Sequence, residues 1–115
     1  MNDPAWLPDA GDLVWTDFPP AKGREQSGRR PPLVVSARVF TAMTGLAVVC
    51  PITARIRPFP TSVVLPPDCP IAGEILPGAI RSIDTLARPL IYAGARVTAP
   101  LAAEVRAKLA AIITI

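Results

Sequence analysis

Histidine is absent from the 115 residues, cysteine occurs twice, and aromatic side chains make up only 5% of the chain. Without an imidazole there is neither the usual neutral-pH acid/base group nor the usual zinc ligand, so any catalysis must run on other side chains. Cys50 and Cys69 stand alone, with no CxxC spacing. Interior thiols are the expected state, and neither a disulfide framework nor a metal site is implied. Long apolar runs are also missing: the stretch from Leu46 to Ile52 is broken by Pro51, far short of the ~20 residues that span a bilayer. No membrane association is expected. The first eight residues carry Asp3 and no base ahead of the apolar positions, unlike a secretory signal, so a cytoplasmic location is expected.

What the chain has in excess is proline. Fifteen prolines run from Pro4 to Pro100, where ~5% of residues would be usual, and each fixes φ and removes a backbone donor. Long helices are thereby excluded everywhere before Pro100. Half of the residues are hydrophobic and 18% are charged, enough apolar content for one domain spanning 1–115 that buries roughly two-thirds of its unfolded surface.

The net charge is +3, unevenly spread. Residues 1–20 carry four aspartates and no base, whereas residues 21–60 carry Lys22, Arg24, Arg29, Arg30, Arg38, Arg55 and Arg57 against Glu25 alone. Arginine predominates, and its planar fork suits bidentate phosphate contacts. A polyanion partner and a merely solvated face both fit this pattern.

Gly11–Phe18 alternates Leu13, Trp15 and Asp17 with Val14, Thr16 and Phe18, which predicts a first strand. After Pro19-Pro20, the run from Lys22 to Arg30 has two glycines, five charges and no periodicity, and reads as a long exposed loop of the kind usually kept for function. Leu33–Ser36 and Leu46–Ile52 are predicted as central strands joined by a loop, with Pro51 at the end of the second or at a bulge. Thr61–Leu65, Glu74–Leu76 and Ile80–Leu86 are further short strands. Thr98 caps a final helix whose Leu101, Val105, Leu109 and Ile112 share one face, with Glu104 and Lys108 spaced to pair on another. The expected fold is mainly β: an SH3-like barrel or strongly twisted antiparallel sheet with short helices and a C-terminal α-helix. Trp15 and Phe18 are assigned to the core.

The string Gly11-Asp12-Leu13-Val14-Trp15-Thr16-Asp17-Phe18, then Pro20-x-Lys22-Gly23-x-Glu25-Gln26-x-Gly28-x-Arg30-Pro31, then Val34-Val35-Ser36 and Cys50-Pro51-Ile52-Thr53 resembles the MazF/PemK family of toxin endoribonucleases. The match runs in order from about Pro8 to Leu65 and continues more weakly through Arg81-Ser82 to the last helix. The resemblance implies a homodimer that cuts single-stranded RNA, often messenger RNA, at short sequences without a metal or other cofactor. It implies 2′-hydroxyl attack leaving a 2′,3′-cyclic phosphate and a 5′-hydroxyl. It also implies a cognate antitoxin whose acidic tail fills the RNA groove. Two features depart from the family pattern: Gly78-Ala79 stands where many members have Asp-Gln, and Ala54 replaces a second threonine.

Such a cleavage needs a proton acceptor for the 2′-hydroxyl, charge stabilisation at phosphorus and a proton for the leaving oxygen. Arg30 can hold two phosphoryl oxygens, and Thr53, matching the family's active-site threonine, can donate to the same phosphate. Glu25 is the only carboxylate of the basic loop. It either accepts the proton or orients Arg30, and the surrounding arginines, which lower a carboxylate pKa, favour orientation slightly. Lys22, Arg24, Gln26, Arg29, Ser36, Arg55, Arg57 and Arg81 are candidate RNA contacts. Two other classes stay open: a non-cleaving module of the same fold that binds RNA or an antitoxin peptide, and a toxin directed at DNA gyrase by protein contact.

Overall fold

The apolar–polar alternation of Asp12–Phe18 forms β1, and the rest of the sheet is laid against its two edges. The structure is a computed structural model that describes residues 6–18 and 28–115. After β1 come β2 (Gly28–Arg30), β3 (Pro32–Val34), α1 (Arg38–Thr44), β4 (Leu46–Thr53), β5 (Val63–Val64), β6 (Glu74–Ile75), β7 (Arg81–Asp84), β8 (Ile91–Arg96) and α2 (Ala99–Ile112). All pairings are antiparallel, in the order β2-β1-β3-β4-β6-β5, with β7 also on β4 and β8 also on β1. This is the expected mainly β fold, a strongly curled half-barrel sheet with a short helix and a C-terminal helix. A register shift between Leu13 and Val14, where β8 carries the two extra residues Ala93 and Gly94 against β1, supplies part of the bend, since extra residues in one strand sharpen local twist.

The two faces of the sheet have separate packing. Leu13, Leu33, Cys50, Ile52, Val63 and Ile75 form the larger core beneath α2, which contributes Val105, with Trp15, Leu101 and Leu109 packed around it. Val14, Val34, Ala47, Val49, Ile83 and Leu90 form a smaller cluster on the opposite face, flanked by Trp6. Directly opposed residues of an antiparallel pair project to the same side, and the observed registers sort every one of these strand residues accordingly: Leu33 with Cys50, Val34 with Val49, Ala47 with Ile83.

Several predicted elements differ. Gly28–Arg30, read as exposed loop, is a strand paired with β1 through Thr16↔Arg30; three charged and small residues show no alternation, so only the partner strand reveals it. The expected loop between β3 and β4 contains α1, whose Ala37 N-cap makes no side-chain cap, leaving no start signal in the sequence. Its end is marked by Gly45, at φ 75°, a left-handed conformation that glycine adopts without a Cβ clash. β8 carries no strand signal of its own in the sequence, since Ala and Gly are poor strand formers. Pro51 sits inside β4, opposite Pro32 and two residues short of the strand's end at Thr53, rather than at its end or at a bulge.

The last helix forms as expected, with the Thr98 hydroxyl accepting the Leu101 N–H at 3.4 Å. Ile112, however, is 38% exposed, so the buried stripe ends at Leu109. Lys108 does not lean on Glu104; its ammonium donates to the Pro60 carbonyl, a fixed backbone acceptor that outweighs a solvent-screened ion pair.

Candidate active site

Four registers build a row of residues across the sheet. Thr16 opposes Arg30, Thr53 opposes Glu74, and Glu74 opposes Val64. The remaining step comes from β3 and β4, paired as Pro32↔Pro51, Leu33↔Cys50 and Val34↔Val49. The ladder runs on past Pro32, because Ile52 N–H donates to the Pro31 carbonyl at 3.2 Å. β2 and β3 also share one register against β1, Thr16↔Arg30 and Leu13↔Leu33, so they are a single strand interrupted at Pro31. Continuing the same register sets Arg30 opposite Thr53, where Cβ atoms are about 4.5–5.5 Å apart. By alternation, the whole row Thr16–Arg30–Thr53–Glu74 lies on the face opposite α2.

Each member is held differently. Arg30 is exposed on β2. Thr53 closes β4, half-buried, and its hydroxyl accepts the Arg55 N–H at 3.1 Å. That contact uses one lone pair and leaves the hydroxyl hydrogen to be donated outward. The close approach behind Thr53 requires Gly73, at φ 148°, because a Cβ there would lie 2.6 Å from the Thr53 carbonyl oxygen and 2.7 Å from the Ile52 side chain. Glu74 is only 1% exposed. Its Oε1 accepts the Arg57 N–H at 2.7 Å and its Oε2 accepts the Ser62 hydroxyl, so both oxygens are used inside the protein.

Among the expected contact residues, Arg55 and Arg57 are exposed on the turn that leaves Thr53. Arg81 opposes Val49 on the same face, four β4 residues or about 13 Å from Thr53. Ser36 is not brought to this site: it lies about 20 Å along the β2–β3 strand from Arg30, and its hydroxyl accepts the Val48 N–H at 2.9 Å, extending the sheet. Lys22, Arg24, Glu25 and Gln26 lie outside the described residues, and of Arg29 only its place in β2 is described. Glu74 was missed by sequence reasoning, although a lone acid inside an apolar strand, just after a glycine, is the available signal for a buried, satisfied carboxylate.

Cys50 belongs to the other face. Burial pushes its thiol up to about 12, so it stays protonated and is no nucleophile. Among the described residues no group of three or more His, Cys, Asp or Glu side chains converges, and no helix is long and apolar enough to cross a membrane.

Fold and row together define a small half-barrel protein with one apolar face under a helix and one face carrying a cation and a hydroxyl side by side. A family model described as PemK-like, MazF-like toxin of type II toxin–antitoxin system matches residues 9–113. The chain belongs to this family. The endoribonuclease toxin MazF of Escherichia coli K12 is 43% identical over 60 residues, 52% of this chain and 54% of that protein; the match spans about half the length of that curated relative. The crystal structure of MazF from Deinococcus radiodurans superposes with a TM-score of 0.87 at 40% identity, covering 96% of this chain and 99% of that one. The MazE–MazF complex from the same organism gives a TM-score of 0.82 at 38% identity, covering 93% and 96%.

Proposed function

We propose that the chain is an endoribonuclease toxin that cuts single-stranded RNA, messenger RNA included, without a metal, and that a cognate antitoxin neutralises it. The observation that carries this reading is the register that sets Arg30 opposite Thr53 on the open face. Two such groups can share one phosphodiester: the guanidinium fork takes the non-bridging oxygens and the threonine hydroxyl donates beside it. The 2′-oxygen attacks phosphorus, the bond from phosphorus to the 5′-oxygen breaks, and the products are a 2′,3′-cyclic phosphate and a 5′-hydroxyl. The 2′ proton passes to a base and the leaving 5′-oxygen takes a proton from solvent, so none is consumed overall; Glu25 either accepts the 2′ proton or, as the surrounding arginines slightly favour, orients Arg30. Arg55, Arg57 and Arg81 extend the cationic surface along neighbouring phosphates.

Single strands are the substrate because their unstacked bases expose edges that an A-form duplex hides. The partner reading rests on the family and on the MazE–MazF complex of the Deinococcus radiodurans relative: an acidic antitoxin tail, as the resemblance implies, would compete for the guanidiniums that hold RNA, and the working unit is a homodimer. The test is incubation of purified protein with single-stranded RNA in EDTA. Discrete fragments with cyclic phosphate ends support the reading, whereas binding without cleavage identifies a non-catalytic module. Growth arrest that survives Arg30→Ala points to a protein target such as gyrase.

A further inference from the structure

The segment from Ala54 to Ser62, between β4 and β5, is anchored more firmly than its exposure suggests. Pro58 and Pro60 fix two of its φ angles. The buried Glu74 carboxylate takes the Arg57 N–H and the Ser62 hydroxyl from beneath, Ser62 in turn accepts the Phe59 N–H at 3.0 Å, and Lys108 of α2 holds the Pro60 carbonyl. What this frame presents to solvent is Arg55, Ile56, Arg57 and Phe59, with Phe59 67% exposed. An exposed aromatic ring following two exposed arginines is the pattern that stacks nucleobases beside bound phosphates. It begins two residues beyond Thr53, so it adjoins the phosphate site and is continuous with it.

We propose that Phe59 stacks on a base next to the cleaved phosphodiester, and that Glu74 is the positioning residue that holds Phe59 there through Arg57 and Ser62. This rests on the endoribonuclease reading above. The ring contributes to substrate binding before and during the reaction alike, so its loss raises KM rather than lowering kcat.

The experiment measures steady-state cleavage of a short single-stranded RNA. Phe59→Ala raises KM about tenfold with kcat within about twofold. Glu74→Val raises KM similarly, and the double variant is no worse than Phe59→Ala alone, because a ring that has been removed cannot be misplaced. Glu74→Gln rescues: its amide oxygen still accepts the Arg57 N–H and its NH2 can donate to the Ser62 oxygen. If Glu74→Val does not fold, Ser62→Ala takes its place in the same cycle. An unchanged KM in Phe59→Ala, or fully additive effects of the two substitutions, overturns the proposal while leaving the endoribonuclease reading intact. A wild-type protein that cuts no RNA overturns both.

Discussion

The two faces of one sheet obey different rules. Toward α2, the residues are Leu13, Leu33, Cys50, Ile52 and Ile75, all 1% exposed or less, and their contribution is the hydrophobic burial that keeps the sheet curled. On the opposite face the same strands carry Thr16, Arg30, Thr53 and Glu74 in a transverse row, bordered by the Val14–Val34–Val49 cluster. Neighbouring positions on one strand, Ile52 and Thr53 for example, therefore face the core and the open surface respectively. A two-residue period is enough to separate the buried face from the one proposed to handle the phosphate.

Substitutions on each face should break this symmetry in opposite ways. Arg30→Ala, on an exposed position, is expected to cost about 10²–10³-fold in cleavage rate with an unchanged melting temperature, as read by single-turnover assays beside thermal unfolding. Leu33→Ala, on the helix side, should lower stability by about 2–5 kcal/mol in denaturant titrations while the folded fraction retains normal cleavage. Thr53→Val removes a hydroxyl without changing shape. It should slow cleavage about tenfold, the worth of a charge-assisted hydrogen bond of roughly 1.5 kcal/mol, and also loosen the turn that begins at Arg55.

Glu25→Gln separates the two roles open to that carboxylate. If Glu25 accepts the proton, the acid limb of the pH–rate profile disappears with most of kcat; if it orients Arg30, the limb persists at reduced rate. The smallest expected effect lies outside both faces. Asp9 accepts the Arg38 N–H at 2.9 Å, and this bond, chiefly, holds its carboxyl below its ordinary value of 3.8. A lowered folded-state pKa stabilises the protein above 3.8, and that stabilisation is lost as pH falls through the folded value. Asp9→Asn should therefore melt slightly below wild type at neutral pH and converge with it in acid.

How much of this was legible in the sequence depended on whether a residue's role is set locally. The β1 alternation and the Thr98 cap are local, and both elements stand where the pattern put them. β2 is not: Gly28-Arg29-Arg30 becomes a strand only because Phe18, Asp17 and Thr16 lie across from it. The juxtaposition of Arg30 and Thr53 has the same origin. The motif named both residues, but their neighbourhood is a consequence of a register carried through Pro31. Glu74 was hidden for a further reason, since its partners Arg57 and Ser62 lie 17 and 12 residues away and no spacing rule anticipates them. Ser36 shows the reverse error, a motif position whose hydroxyl serves the sheet.

The most direct test of the central claim is a phosphorothioate cleavage series comparing wild type with Arg30→Ala, Thr53→Val and the double variant. If the guanidinium and the hydroxyl grip one phosphate, replacing a non-bridging oxygen by sulfur slows wild type markedly, and the double variant loses much less than the product of the single losses. Independent, multiplicative losses with no sulfur effect would mean that the two side chains never meet on the same anion.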